Sequence, residues 1–322
     1  MRILVTGAVG FLGTALVRTL LSRGHQVRAL DRAASEEQRA LGAEPVAGDA
    51  LDPAVLRAAV AGQDAVIHLV GIRRSTDTSE FLTVNAEGTR TALEACLAAA
   101  PGLSRFVLAG SRAAIAPSPE AVDETAPFAP AEPYGASKAE AERIAFSYAD
   151  RIPVAVARPP RIMGPGDREN LLFFKLAAKG WAFGFGGPPR PLSWIDVDDC
   201  ARGFALLAER PEAVNEAFFL ASPTPTDAQE LMLEAGRALG RTTRRVTVPP
   251  ALLRAVARAA DAVTDLTGRR LPLNRKLAAQ VLAPGWRCDP SKARARLGFE
   301  AATPLSESIG RAARWYVDHG WL

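Results

Sequence analysis

One octapeptide constrains this chain more than any other feature: Thr6-Gly7-Ala8-Val9-Gly10-Phe11-Leu12-Gly13. It follows a short apolar run at residues 3–6 and opens a stretch with helical spacing at 14–23, where Leu16 and Leu20 are four apart and Gly24 stands in the place of a C-terminal cap. Three glycines at a strand-to-helix junction have separate physical jobs. Gly7 permits a sharp turn, Gly10 lets the backbone approach a pyrophosphate, and Gly13 lets the helix pack close to the strand. Free N–H groups and the helix dipole then favour phosphate at the helix start. The pattern predicts a dinucleotide site over Gly7, Gly10, Phe11, Leu12 and Gly13.

Asp31 stands 18 residues after Gly13, just past a second apolar run at 27–30. An acid there accepts hydrogen bonds from the adenosine ribose of NAD and repels the 2′-phosphate of NADP. Arg32 follows it and would accept that phosphate, so NAD is the expected cofactor and NADP the alternative.

Further apolar runs at 65–69, 106–108 and 154–157 alternate with helix-prone segments at 54–61, 85–100 and 136–148. Strands that are apolar on both faces belong in a parallel sheet covered by helices on both sides. The order predicts an α/β fold with a doubly wound sheet. Beyond residue 158 the composition changes. Prolines and glycines cluster at 158–160, 164–166 and 184–191, and helix-like stretches follow at 201–209, 228–239, 251–266 and 306–319. The expected division is a dinucleotide-binding domain over 1–158 and a smaller, discontinuous C-terminal substrate lobe over 159–322, with segments returning to the sheet.

At 322 residues and 48% hydrophobic content, the chain has ample material for a core. No apolar run approaches the roughly 18 residues that span a bilayer. Met1 runs almost directly into the glycine motif and leaves no room for a signal peptide, so the expected location is cytoplasmic. Three scattered cysteines and three scattered histidines show neither a disulfide framework nor metal-ligand spacing. His68, in an apolar run, reads as a satisfied core histidine. The net charge of +4 hides an asymmetry: residues 1–150 hold 14 basic and 18 acidic groups, against 25 and 17 in the remainder. Arg241–Lys292 is the basic part, and a solvated surface is the expected reading; membrane association is not expected. No basic run is interleaved with aromatics, so nucleic acid is not an expected partner.

Tyr134-Gly135-Ala136-Ser137-Lys138 carries the chemistry. Residues four apart share one helix face. A cation beside a phenol favours the phenolate, and such a tyrosine exchanges a proton with a carbonyl or hydroxyl oxygen. Lys138 is also placed to hold the nicotinamide ribose. Ser111, 23 residues before Tyr134, offers a hydroxyl to orient the same oxygen.

With these residues in view, the chain resembles the extended short-chain dehydrogenase/reductase family, also called the NAD-dependent epimerase/dehydratase family. Residues 6–13 are similar to its Thr-Gly-x-x-Gly-x-x-Gly. Gly48-Asp49-Ala50 is similar to the turn that meets adenine. Residues 64–71, ending Leu69-Val70-Gly71, resemble the strand leading to the cofactor's phosphates and ribose. Asn85-Ala86-Glu87-Gly88-Thr89 resembles Asn-x-x-Gly-Thr, residues 106–116 the strand carrying the active-site serine, and residues 158–167 the Arg-Pro…Gly-Pro-Gly-Asp loop. Residues 194–199 and 286–299 complete the order. The resemblance implies a Rossmann-like fold, the catalytic residues Ser111, Tyr134 and Lys138, and cofactor contacts that extend to Asp49, Ala50, Leu69, Val70, Gly71, Asn85, Pro159 and Ile162.

Departures from the family pattern bear on substrate. Arg161 stands where sugar-nucleotide members carry asparagine, Leu192-Ser193-Trp194 replaces Arg-Asp-Phe, and Ile115-Ala116-Pro117 replaces Val-Tyr-Gly. A lost arginine removes a bidentate phosphate grip, for which Arg190 is the nearest substitute. These changes resemble the hydroxysteroid dehydrogenase and dihydroflavonol reductase-like branches. The expected activity is NAD(P)-dependent hydride transfer to or from an apolar hydroxyl or carbonyl compound. A sugar-nucleotide epimerase or dehydratase is the alternative, and a non-catalytic NAD(P)-binding protein a third reading that the intact triad argues against. Phe173, Phe174, Trp181, Phe183, Phe185 and Trp194 are either pocket lining or lobe core. The expected partner is a small molecule, with a homodimer as an open option.

Overall fold

The computed structural model describes residues 1–268 and 274–322. Arg269 and Arg270, part of the basic stretch read from the sequence, lie outside the described residues. Five strands in the first half are β1 (Arg2–Thr6), β2 (Gln26–Asp31), β3 (Glu44–Ala47), β4 (Ala65–His68) and β5 (Arg105–Ala109). Val154–Ala157 and then Glu216–Phe218 extend the sheet beyond β5. On the other side the order runs β4, β1, β2, β3, and every neighbouring pair is parallel. The strand order reverses between β1 and β4, and the crevice at their carboxyl ends is where a doubly wound sheet takes its ligand.

Alternation along the strands explains the two helical layers. Ile3, Val5, Val27, Ala29, Ile67 and Val107 turn to one face. They pack on α1 (Phe11–Ser22), through Leu16 and Leu20, and on the helix Val197–Glu209, through Phe204 and Leu207. Leu4, Leu30, Val66, Phe106 and Leu108 turn to the other face. There they meet Leu56 and Val60 on the helix Pro53–Val60, and Leu93 and Cys96 on Gly88–Ala99. They also meet Ile144 on Pro133–Ser147. Each fully buried leucine or isoleucine of this kind contributes about 1.5–3 kcal/mol.

Two sheet strands escape the sequence pattern. Glu44–Ala47 contains Pro45, which lacks a backbone donor and is confined to an edge, and this strand is the edge. Glu216–Phe218 is only three residues long. The helix expected over 85–100 is also different. It begins as Thr78–Phe81, passes through a wide π-helical turn at Leu82–Glu87, and becomes α-helical at Gly88. Such turns often mark functional sites, and this one carries Asn85.

The second half builds short paired strands around the carboxyl edge: Arg161–Met163 with Trp194–Asp196, and Trp181–Phe185 with Arg244–Val248. A separate core joins Phe174, Trp194, Leu231, Ile309 and Tyr316, with the Phe174 and Tyr316 rings edge-to-face at 4.8 Å. The candidate pocket aromatics therefore divide. Phe174 and Trp194 are lobe core, Trp181 is exposed, and Phe173, Phe183 and Phe185 are half-buried. Among the described residues, no helix is long and apolar enough to cross a membrane.

Candidate active site

The glycine turn is built as its spacing requires. Gly7 has φ +72° and seats against the Val70 backbone, where a methyl group would stand 3.4 Å from the amide nitrogen. A methyl group on Gly13 would collide with the Gly7 carbonyl and lie 2.7 Å from the Ala8 carbonyl carbon, so α1 approaches the turn only because that position is glycine. Gly10 begins α1 with no side-chain cap and no acid in the first turn. The open N–H groups suit a phosphate. A buried residue outside the motif supports this cradle: Gln38 donates from Nε2 to the Ala8 carbonyl at 2.9 Å. Phe11 faces the second half, since a methyl group on Gly164 would lie 3.8 Å from its ring. Leu12 and Ile162 pack against the same core as α1.

Asp31 ends β2 with its carboxylate fixed. Oδ2 accepts from the Val9 amide at 2.9 Å and Oδ1 from the Arg32 amide at 2.8 Å. An acid tied to the glycine turn in this way keeps lone pairs for ribose hydroxyls and sets a negative charge where NADP carries its phosphate. The Arg32 side chain is exposed. Asp49 caps its own turn by accepting from the Leu51 amide at 2.9 Å, while Ala50 is buried in the second core layer.

The loop after β4 is held by Asn85. Its Oδ1 accepts from the Ile72 amide at 2.7 Å, and its Nδ2 donates to the Ile72 carbonyl at 3.0 Å and to Ser137 Oγ at 2.9 Å. Leu69 and Val70 are half-buried and Gly71 is exposed. A methyl group on Gly71 would meet Asn85 Oδ1 and Lys138 Nζ, each at 3.0 Å, so this loop and the lysine crowd one point.

Ser111 lies two residues past β5, and its Oγ accepts from the Ala113 amide at 3.1 Å. Pro133 occupies the first turn of the following helix, so the helix starts earlier than expected and Tyr134 sits in that turn. Gly135 lets this turn abut the Ser111 loop, because a methyl group there would collide with the Ala113 carbonyl. Lys138 is 4% exposed and donates from Nζ to the Ala109 carbonyl at 2.8 Å. Ser111, Tyr134 and Lys138 therefore gather at the carboxyl ends of β4 and β5, beside the glycine turn. Pro159 is buried and joins them, its carbonyl accepting from the Arg112 amide at 3.1 Å.

Several residues of the site escaped the sequence reading. Glu142 lies one turn beyond Lys138 and is wholly buried, paired with Arg158 at 2.8 Å. A methyl group on Gly110, next to Ser111, would collide with this carboxylate. Burial pushes the Glu142 carboxyl upward, against the Arg158 charge that holds it down. The signal was present as Tyr134, Lys138 and Glu142 at four-residue intervals. Arg112 is buried and donates to the carbonyls of Arg287 at 2.8 Å, Ile115 at 3.0 Å and Ala116 at 2.9 Å, tying the serine loop to the C-terminal region. Arg73 stacks over the Tyr134 ring, 5.2 Å from its centroid, and Phe81 meets the same ring edge-on at 6.5 Å.

His68 is a correction to the sequence reading. Its Nδ1 shares a 2.9 Å hydrogen bond with Thr6 Oγ1, but Nε2 is buried with no hydrogen-bond partner among the described residues, so only half of the ring is satisfied. Burial, aided by the Lys138 charge, pushes its pKa down to about 3, and the ring is neutral.

A family model described as the NAD dependent epimerase/dehydratase family matches residues 3–221. A ceramide reductase of Caulobacter vibrioides is 32% identical over 99% of this chain and 95% of its own length. A 2-alkyl-3-oxoalkanoate reductase of Stenotrophomonas maltophilia is 31% identical over 97% of this chain and 98% of its own. The crystal structure of gox2253 superposes with a TM-score of 0.84 at 25% identity, covering 99% of this chain and 98% of that one.

Proposed function

This chain belongs to the NAD-dependent epimerase/dehydratase family and is an NAD(P)-dependent oxidoreductase; we propose that it moves hydride to or from an apolar hydroxyl or carbonyl compound and not a sugar nucleotide. One observation carries the choice of substrate. Arg190, the nearest substitute for the missing diphosphate-gripping arginine, spends its guanidinium on backbone, donating to the Phe185 carbonyl at 2.9 Å and to the Pro188 and Gly186 carbonyls at 3.3 Å. Ser193, which stands in the Leu192-Ser193-Trp194 replacement, is buried and bonded to the Cys288 backbone. Neither offers a diphosphate the bidentate contact it needs. The relatives named as ceramide reductase and 2-alkyl-3-oxoalkanoate reductase favour the same reading.

The residues fit NAD: the turn at Gly7–Gly13 leaves space and open amides, and Asp31 is fixed where a ribose acceptor belongs. NAD, when bound, supplies the hydride acceptor or donor. In this proposal Tyr134 holds or releases the proton at the substrate oxygen, and Ser111 Oγ orients that oxygen. Lys138, anchored on Ala109, supplies the adjacent positive charge and a donor to the cofactor ribose. Asn85 keeps the β4 loop in register with them. The catalytic roles of Ser111, Tyr134 and Lys138 are part of the proposal, as is a division into a cofactor-binding part over 1–158 and a mainly substrate-binding part over 159–322. A cytoplasmic location is proposed on the three buried free cysteines, which suit a reducing compartment.

The test is NADH oxidation with neutral apolar ketones beside UDP- and dTDP-sugars. Turnover of ketones alone supports the reading. Sugar-nucleotide epimerisation without net NADH consumption overturns it.

A further inference from the structure

The helix Pro250–Thr267 is amphipathic the wrong way round. It leaves the strand Arg244–Val248 of the second half and rests on the helix Arg275–Val281, where Asp261 Oδ2 accepts from Arg275 Nε at 2.6 Å. It buries only Ala257 and Ala260. Its large side chains point the other way: Leu252 is 54% exposed, Val256 47%, Val263 44% and Leu266 87%. Ala255, Ala259 and Ala262 are exposed too. At about 100° per residue these seven positions fall within one arc of about 120°. No charge interrupts the arc. The helix's four charges, Arg254, Arg258, Asp261 and Asp265, all lie away from it. An apolar stripe of this width ordinarily faces a core, and on a surface it marks a contact with something apolar.

The surrounding charge selects what that is. Residues 241–292, which carry the helix, hold eleven basic and three acidic groups. Two copies of the chain meeting through this arc would bring two such segments together, and like charges repel. An anionic surface with an apolar interior complements both the stripe and the charge. We propose that the helix Pro250–Thr267 lays its apolar arc on an anionic lipid bilayer. With four charges on its other side it lies in the surface and does not cross it. The sequence reading gave this basic stretch to solvated surface, because spacing alone does not say which side of a helix the fold covers. Docking is independent of which substrate the cleft takes. It sets the second half of the chain against the lipid, since the helix continues directly from the strand that pairs with Trp181–Phe185.

The test is flotation of the full chain with vesicles of phosphatidylcholine alone and with vesicles of equal parts phosphatidylcholine and phosphatidylglycerol. The native protein should partition at least about tenfold more strongly to the anionic vesicles, and rising salt should weaken that binding several-fold. Val256→Gln combined with Val263→Gln takes two side chains from the middle of the arc and should cut the anionic partition at least about tenfold. Both positions are exposed, so the unfolding temperature and NAD affinity of this variant should match the native values. If the paired variant does not fold, Leu266→Gln, at the exposed end of the helix, is read instead, with a loss of at least about threefold.

A native protein that stays off the anionic vesicles, or that binds neutral and anionic vesicles equally, overturns the proposal. So does a folded stripe variant that floats as well as the native protein. Sedimentation velocity reads the rival occupant: a native dimer that the paired substitution dissociates, without vesicle binding, gives the arc to a second copy and takes it from the bilayer.

Discussion

Glu142 and Arg158 form a 2.8 Å ion pair inside the protein, with side chains 0% and 5% exposed, immediately behind the loop that carries Ser111. Burial raises the Glu142 carboxyl, and Arg158 offsets this most, ahead of the Ser111 backbone and the Lys138 charge. Removing one member of such a pair strands the other in a medium that cannot solvate it.

Arg158→Met should therefore destabilise the fold by about 3–5 kcal/mol, while Glu142→Leu combined with Arg158→Met should recover much of that loss. Denaturant unfolding of the two single variants and the double variant measures it. The double variant should still lose turnover, because the serine loop no longer rests on a fixed carboxylate. A double variant less stable than both singles would remove the pair from this role.

His68 makes stability depend on acid. The folded state holds the ring neutral with a pKa of about 3, against an ordinary value of 6.5 in the unfolded chain. A depressed base contributes stability that is complete above pH 6.5 and is lost as pH falls from there toward 3, because only the unfolded chain takes up the proton. The slope is about 1.4 kcal/mol per pH unit, so about 2 kcal/mol should go between pH 6.5 and 5. Unfolding free energies at the two pH values, compared with those of His68→Gln, isolate the share due to the ring. An equal acid loss in the variant would assign it elsewhere.

What the sequence makes legible, and what it hides, follows from the range of the interactions. The glycine turn, Asp31 and the Tyr134–Lys138 helix are local patterns with a fixed period, and the structure places them at one crevice. The edge strand Glu44–Ala47 is hidden because it is short and carries a proline. Arg158 and Glu142 are 16 positions apart and meet only because a helix and a strand lie side by side. Arg190 shows the opposite limit. Its position in the sequence suggests a phosphate grip, and only its carbonyl partners reveal that the guanidinium is already used.

Two glycines of the turn should fail in different ways. A methyl group on Gly13 collides with the turn backbone, so Gly13→Ala should cost about 1–3 kcal/mol as overpacking and loosen α1. On Gly10 a methyl group meets only the Gly7 carbonyl, at 3.2 Å. Gly10→Val should therefore fold yet lose NAD binding, because its side chain points into the space proposed for the pyrophosphate. In the same titration Asp31→Ala should weaken NAD more than NADP. Thermal unfolding beside binding curves for both cofactors separates the cases, and an unchanged NAD-to-NADP preference in Asp31→Ala would withdraw that residue from the ribose.

The catalytic assignment predicts an order among three variants. Tyr134→Phe keeps the ring that Arg73 and Phe81 pack against and removes only the hydroxyl, so NAD binding should stay near the native value. Turnover should fall by about 10²–10⁴-fold, the usual contribution of a general acid–base group, or more. Lys138→Ala should damage both turnover and NAD affinity. Its ammonium is held at 2.8 Å by the Ala109 carbonyl, and the proposal gives it both the charge that tunes Tyr134 and the cofactor ribose. Ser111→Ala should be milder in turnover than Tyr134→Phe, since it removes one hydrogen bond to the reacting oxygen and no proton carrier. It should also cost about 1 kcal/mol of stability, because Ser111 Oγ caps the turn at Ala113. Single-turnover hydride transfer with bound NADH, measured beside NADH affinity, reads all three. A larger loss in Ser111→Ala than in Tyr134→Phe would reverse the roles. Native turnover in Tyr134→Phe would take the phenol out of the reaction and leave the proton to another group in the cleft.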